Sequence, residues 1–291
     1  MPSTVSRLKR LRLWREITKN DFRLCSDRCK RDTKMKPDIS EFSYGYAVTE
    51  SLIWDTRLPV VGAPIFPSLI EEGRSGGYDV GIQFHGLLLF LQFKLSHYMK
   101  KATAFEASQR LIDVPFYRMH LRPARHSRQH AMLLDLEATG EIVLYVAPKF
   151  HLPSELNAAY LSRTMIQQSL FIRPSTIGPL PDDRDHHVSF RDGYPVYLRS
   201  ELKKIRGEEH SETSPKELHD IIEHNEYKKY DSAVLSKIAD QMLSIILQHA
   251  TFDPEHRHKL KDMEPVEKLR YLSRTYFDCE PVVMQTRTME E

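Results

Sequence analysis

The chain has 291 residues, of which 41% are hydrophobic, and its formal net charge is +2 at pH 7. This size allows one or two domains with a real core, and so small a net charge excludes a protein that binds polyanions with its whole surface. Its apolar runs are too short to cross a membrane, and its charged N-terminus is unlike a signal peptide. It has three cysteines, an odd number that suits a reducing compartment. We therefore expect a cytoplasmic protein with no membrane partner.

The N-terminal segment, residues 1–36, contains many more basic than acidic residues. Four apolar residues recur in it at helical spacing, namely Leu8, Leu11, Trp14 and Ile17. The pattern predicts a basic amphipathic helix, which either contacts phosphate groups or docks on the chain with its charged face in solvent; a membrane-surface role has less support. Cys25 and Cys29 would supply half of a zinc site, but no second ligand pair stands out, which favours idle thiols.

A helix is predicted from Ile39 to Trp54. Glu50 lies four residues after Tyr46 and four before Trp54, on the apparent apolar stripe of this helix. We therefore expect the Glu50 carboxylate to face the interior, where it needs a polar partner.

The next two segments, 77–84 and 87–95, are typical of β-strands, and His85-Gly86 between them predicts a two-residue turn of a β-hairpin. In this register Asp79 lies opposite Gln92, and Lys94 lies two residues further along on the same face of the sheet.

The opposite face of the second strand is predicted to be core, because it carries only apolar residues: Leu87, Leu89, Leu91 and Phe93. A carboxylate, an amide and an ammonium group thus converge on a strand apolar enough to be central. From these residues alone, a structural ion pair between Asp79 and Lys94 explains the pattern as well as a functional site does.

A third strand is predicted over Pro115–Arg122, followed by a helix that Ser127 caps and Gly140 ends, and by a strand over Glu141–Pro148. A basic cluster runs from the third strand into this helix and contains Arg118, His120, Arg122, Arg125, His126, Arg128 and His130. Because a helix N-terminus also attracts phosphate, we predict that Arg118, Arg122, Arg125, Arg128 and His130 bind nucleic acid.

Beyond Pro148 the sequence patterns say less about structure and function. Further strands and helices are predicted at 155–168, 169–173, 187–190, 214–250 and 266–276. The loop 182–187 has metal-ligand residue types, but its adjacent acids are more typical of a solvated turn. We divide the chain into the N-terminal segment 1–36, an α/β domain 37–200, and a helical C-terminal region 201–291 that packs on this domain, binds a partner protein or self-associates.

The order α-β-β-β-α-β over Ile39–Pro148 resembles the core of the PD-(D/E)XK nuclease superfamily. In that family an Asp ends the first strand, an acid-x-Lys motif occupies the second, and an acid often projects from the first helix. Asp79, Gln92-Phe93-Lys94 and Glu50 match these positions, and Glu71 and Glu72 are alternatives to Glu50. Gln92 replaces the usual acid, but Mrr-like restriction nucleases and some transposon-end nucleases are similar in using Gln-x-Lys.

The resemblance implies a restriction-endonuclease-like fold with a mixed central sheet and a DNA endonuclease that needs Mg²⁺ or Mn²⁺. Asp79, Gln92 and Glu50 would hold the metal, and Lys94 would orient the attacking water or offset charge on the phosphate. Prokaryotic defence, including antiviral defence, or mobile-element processing is the context that it suggests. The alternatives are a nuclease-like module that binds nucleic acid or a partner without cutting, and an unrelated α/β interaction protein.

Overall fold

The computed structural model describes residues 35–54, 84–180, 185–201, 203–206, 215–223, 228–250, 260 and 263–285. Several sequence-based predictions lie outside these residues and stay predictions: the N-terminal helix, Cys25, Cys29, Glu71, Glu72 and Asp79.

The structure is mixed α/β, as the sequence predicted. The helices are α1 (Glu41–Trp54), α2 (Phe105–Ser108), α3 (Gln129–Ala138), α4 (Pro153–Leu161), α5 (Pro174–Ile177), α6 (Pro215–Glu223), α7 (Ser232–His249) and α8 (Pro265–Leu272). The strands are β1 (Phe84–Phe93), β2 (Ser96–Met99), β3 (Phe116–Leu121), β4 (Ile142–Pro148), β5 (Ser169–Ile172), β6 (His186–Phe190), β7 (Val196–Leu198), β8 (Lys203–Arg206), β9 (Lys228–Tyr230) and β10 (Glu280–Gln285). A 3₁₀ turn over Arg199–Glu201 and a π-helical turn over Ser273–Phe277 complete the elements.

The central sheet has the order β10-β1-β4-β5, and β9 also pairs with β1. It is mixed, because β1 is parallel to β4 but antiparallel to β9 and β10. The second sheet has the order β2-β3-β6-β7-β8, and its strand pairs are antiparallel. The coarse prediction of an α/β fold with a mixed central sheet is therefore confirmed.

Strand β1 is buried on both faces. Leu87, Leu89 and Leu91 belong to the apolar cluster that includes the inner face of α1, as predicted. Leu88 and Phe90 belong to the opposite cluster, which takes in buried residues of α3, α7 and α8 and of the second sheet. The alternating side chains of a strand can fill two cores in this way only when the strand is central.

Helix α1 packs closely on β1. Its first turn is capped by Ser40, whose hydroxyl accepts a hydrogen bond from the Ser43 N–H at 3.0 Å. At Gly45 the helix approaches Phe93 so closely that a Cβ would lie 3.0 Å from the phenyl ring. This packing brings the first turn of α1 to the end of β1 where Gln92 lies.

Two sequence-based predictions about the sheet are wrong. His85 and Gly86 do not form a turn: they lie inside β1 and pair with Lys229 and Lys228 of β9. The hairpin that placed Asp79 opposite Gln92 is therefore also wrong, because β4 pairs with β1 at Gln92 and β10 occupies the other edge as far as Leu91.

The third strand and the C-terminal region also differ from expectation. Strand β3 exists where it was predicted, but it belongs to the second sheet. The C-terminal region is not purely helical, since it supplies β9 and β10 to the central sheet, and the apolar face of α7 is buried in the core of this chain. Among the described helices, none has the length and apolar character needed to cross a bilayer.

Candidate functional site

Gln92 and Lys94 lie at the C-terminal end of β1, and their side chains meet two other polar groups. The Gln92 side chain is almost fully buried, with 2% of the residue exposed. Its amide nitrogen donates to Asp278 Oδ2 at 3.4 Å and to the Phe93 carbonyl at 3.3 Å, and its oxygen accepts from the amide of Gln129. A buried amide therefore links the central strand, helix α3 and the turn before β10.

Lys94 joins the same cluster. Its ammonium group lies 3.6 Å from Asp278 Oδ2 and 3.5 Å from Gln129 Oε1, and its side chain is 17% exposed. The backbone is fixed as well, because the Lys94 N–H donates to the Val146 carbonyl at 2.9 Å. The predicted convergence of an amide, an ammonium group and a carboxylate is present, but the carboxylate is that of Asp278.

Asp278 holds an unusual backbone position. It ends the π-helical turn with φ 49° and ψ 40°, a left-handed conformation that Asp tolerates better than most residues. The Gln129 amide also donates to the neighbouring Phe277 carbonyl at 2.8 Å. The turn thus places the Asp278 carboxylate, 69% exposed, beside the end of β1.

Of these groups, Gln92 and Asp278 line one side of a cleft of about 470 Å³, and Lys94 lies behind Asp278, outside the lining. Helix α1 forms another wall with Glu41, Phe42, Gly45, Tyr46 and Thr49. The remaining lining residues are Leu91, Gln92, Phe93, Arg274, Asp278, Cys279 and Glu280. The cleft is therefore open to solvent at Asp278 and closed at its base by β1.

The electrostatics of the cleft shift two pKa values in opposite directions. Burial lowers the pKa of Lys94, and the nearby carboxylates of Asp278 and Glu41 only partly offset this. Partial burial raises the pKa of Glu41, as does the Asp278 charge, while Lys94 and Arg122 act in the opposite sense. The charged forms of both side chains are therefore less favoured here than in water.

One carboxylate oxygen of Glu50 is buried, as predicted, but Glu50 does not join this cluster. It interacts with the Tyr160 hydroxyl of α4, whose pKa it raises, and it is not among the residues that line the cleft. The apolar stripe assumed for α1 was misplaced, because Tyr46 and Trp54 are 61% and 60% exposed. The buried face instead contains Tyr44, Ala47, Val48 and Leu52.

Two residues of the predicted nucleic-acid track are buried structural groups. Arg118 is 3% exposed and forms a two-pronged ion pair with Glu106, which is 0% exposed. His130 is bonded to the Tyr145 hydroxyl at 2.9 Å and the Gly178 carbonyl at 2.8 Å, and burial lowers its pKa. These two predictions are wrong, because neither side chain faces solvent.

The remaining arginines of the track, Arg122, Arg125 and Arg128, are exposed. Arg122 is close enough to influence the pKa values of Lys94 and Glu41, so the track begins near these two residues. The Ser127 hydroxyl accepts from the Gln129 N–H at 3.3 Å, but the prediction that Ser127 caps α3 is wrong, because the N-cap residue is Arg128 and makes no side-chain capping bond.

Sequence reasoning missed Glu41 and Asp278. Glu41 is an acid in the first turn of a helix that was predicted, so its position in this helix could have identified it as a candidate site residue. Asp278 precedes a short apolar strand, a signal present in the sequence, but 186 residues separate it from Gln92.

The donor set suits a hard cation only in part. Asp278 and Glu41 offer carboxylate oxygens, and Gln92 and Gln129 offer amide oxygens, which are ligands that Mg²⁺ accepts alongside several waters. Within the described ranges, no three His, Cys, Asp or Glu side chains are grouped as a metal site. A cation here would therefore rely on amide oxygens and water for much of its coordination.

Comparison of the chain with protein-family models, with curated proteins and with solved structures found no match.

Proposed function

We propose that this chain is a metal-dependent endonuclease that hydrolyses phosphodiester bonds of DNA. The observation that carries the proposal is the contact of the Lys94 ammonium group with Asp278, where Asp278 and the buried Gln92 amide line an open cleft. Lys and carboxylate pairs also form ordinary ion pairs, so this contact needs a functional test.

The strand arrangement supports the resemblance to the PD-(D/E)XK nucleases, but the acid comes from a different part of the chain. Asp278 lies two residues before β10, which runs antiparallel to the strand that carries Gln92. The acid therefore lies just before a strand next to the Gln-x-Lys strand, although it comes from the C-terminal part of the chain and not from a preceding hairpin. Asp79, outside the described residues, stays a predicted additional ligand.

Asp278, Gln92 and Glu41 would hold Mg²⁺ or Mn²⁺. Bound there, the ion would supply charge against a phosphate oxygen and lower the pKa of a coordinated water. The side chains provide the remaining chemistry. Lys94 would donate hydrogen bonds to the phosphate or the water, where charge develops in the transition state. Glu41, with its raised pKa, would have to lose its proton before it could help to hold the ion.

The exposed arginines extend this site into a binding track. Arg122, Arg125 and Arg128 follow one another from the cleft to the start of α3 and would contact phosphate groups along a DNA backbone.

A second candidate is a nucleic-acid or partner-binding module that does not cut. It is favoured by the completeness of the hydrogen bonds around Gln92, whose oxygen and nitrogen both have partners within the protein. In that case Gln129 and Asp278 would serve to fix the end of β1.

Cleavage of supercoiled plasmid by the purified chain separates the two candidates. We expect nicking or linearisation with Mg²⁺ or Mn²⁺ and none with EDTA, and we expect Asp278→Asn to abolish it. Asp240→Asn is the matched control, because Asp240 also pairs with a lysine and is similarly exposed, at 62%. Absence of cleavage of the plasmid and of single-stranded DNA with every divalent metal would refute the nuclease and leave the binding module.

Gln92→Glu tests the metal site without an activity readout. The new carboxylate would lie against Asp278 and repel it, so the variant should unfold at lower temperature in EDTA. Saturating Mg²⁺ should raise its melting temperature more than that of the wild type, because only the folded site binds the ion. Equal responses to Mg²⁺ would show that no cation binds beside residue 92.

A further inference from the structure

Helix α1 presents two aromatic rings to solvent at the rim of the cleft. Phe42 is 84% exposed and Tyr46 is 61% exposed, and both line the cleft that holds Gln92 and Asp278. Residues four apart lie on the same side of a helix, so the two rings form one surface. Their exposure is a property of the fold, because the opposite face of α1 is already buried against β1.

The spacing of the rings restricts what binds them. Four residues of helix rise about 6 Å, whereas neighbouring nucleotides in one strand of B-form DNA rise about 3.4 Å. Adjacent bases therefore reach both rings only if the strand is extended and the bases are unstacked. Paired bases inside a duplex do not offer their faces at all.

Charge complements this arrangement. The Glu41 carboxylate, in the first turn of α1, disfavours phosphate at the helix, while Lys94 and Arg122, whose charges both reach Glu41, attract phosphate away from the helix. A single strand can place its uncharged bases against α1 and its phosphates toward Lys94 and Arg122. A duplex cannot do this, because both of its strands carry phosphate on the outer surface.

We propose that Phe42 and Tyr46 form a stacking platform for unpaired bases, and that the substrate is a nucleic acid with a single-stranded segment at the cleft. The inference rests on the proposed function, since it names the substrate class of the same site. Aromatic stacking adds affinity without reading sequence, because every base has a π-face.

Fluorescence anisotropy in EDTA, where cleavage is blocked, tests the platform. The probes are a labelled single-stranded oligonucleotide, the duplex of the same sequence, and a single strand whose central nucleotides are abasic. We expect the wild type to prefer the intact single strand over both other probes. Phe42→Ala and Tyr46→Ala should each weaken binding of that probe about tenfold and leave binding of the abasic strand unchanged.

Three controls make the result specific. Tyr46→Phe should retain affinity, because the ring is kept. Trp54→Ala should have no effect, since Trp54 lies on the same helix with 60% exposure but does not line the cleft. The slope of affinity against salt should stay the same in the alanine variants, because no phosphate contact is removed.

The outcomes separate this inference from the nuclease. If the alanine variants bind every probe like the wild type, the rings serve another purpose, such as a protein contact, and the inference is overturned even if cleavage persists. Binding that depends on the bases and on both rings supports it even if no metal produces cleavage, a result that refutes the nuclease alone. Tighter binding of the duplex than of the single strand also overturns it.

Discussion

Removing the Glu106 carboxylate should cost a large part of the stability of the fold. Glu106 lies on α2 with 0% exposure and accepts hydrogen bonds from both prongs of Arg118 and from the Ser189 hydroxyl at 2.5 Å. Arg199 lies 3.8 Å away. Glu106→Ala would leave the Arg118 charge buried without its main partner, and breaking such a pair costs about 3–5 kcal/mol. Domains are stable by only about 5–15 kcal/mol in total.

Urea unfolding at neutral pH, followed by circular dichroism, measures this loss. Asp240→Ala is the control, because it breaks a pair whose aspartate is 62% exposed and which should contribute no more than about 1 kcal/mol. The double variant with Met at 106 and 118 should recover much of the stability, since it removes both charges together. If Glu106→Ala loses no more than Asp240→Ala, the buried pair is not structural and the reasoning fails.

Two further predictions concern binding and pH. Replacing Arg122, Arg125 and Arg128 with Ala should weaken DNA binding and lower the slope of log affinity against log salt by about 0.9 per lost phosphate contact, and an unchanged slope would remove these residues from the track. Cleavage should need ionised Glu41 and protonated Lys94, whose pKa values are shifted up from 4.5 and down from 10.5. The rate should therefore rise with pH above 4.5 and fall before 10.5, and Glu41→Gln should change the acid limb alone; a flat profile would contradict these roles.

The sequence identified the elements with strong periodicity. Helix α1, helix α3 and strand β4 were all predicted close to their observed bounds, because burial imposes a local pattern on each, whereas β1 was predicted to begin only at Leu87. The convergence of Gln92 and Lys94 on one side of β1 followed from the same alternation.

The errors arose where distant contacts override local signals. His85-Gly86 is typical of a turn, but Gly86 pairs with Lys228 and Gln285, far along the chain. Asp278 reaches the site through the same distant pairing. Arg118 was assumed to lie on the surface because its buried partner, Glu106, could not be recognised in the sequence. Glu106 lies on a helix of only four residues, which is too short to show a periodic pattern.

The cleavage rate of Lys94→Met, compared with that of Lys268→Met, tests the central claim most directly. The two lysines are matched, since each pairs with an aspartate and each side chain is 17% exposed, but Lys268 lies on α8 and pairs with Asp240 instead of Asp278. We expect Lys94→Met to lose a factor of about 10²–10³ in metal-dependent cleavage at saturating DNA with the fold unchanged, because it removes a donor aimed at transition-state charge. Lys268→Met should cut like the wild type. Equal cleavage by the two variants would contradict the catalytic role of Lys94 and, with it, the proposed nuclease site.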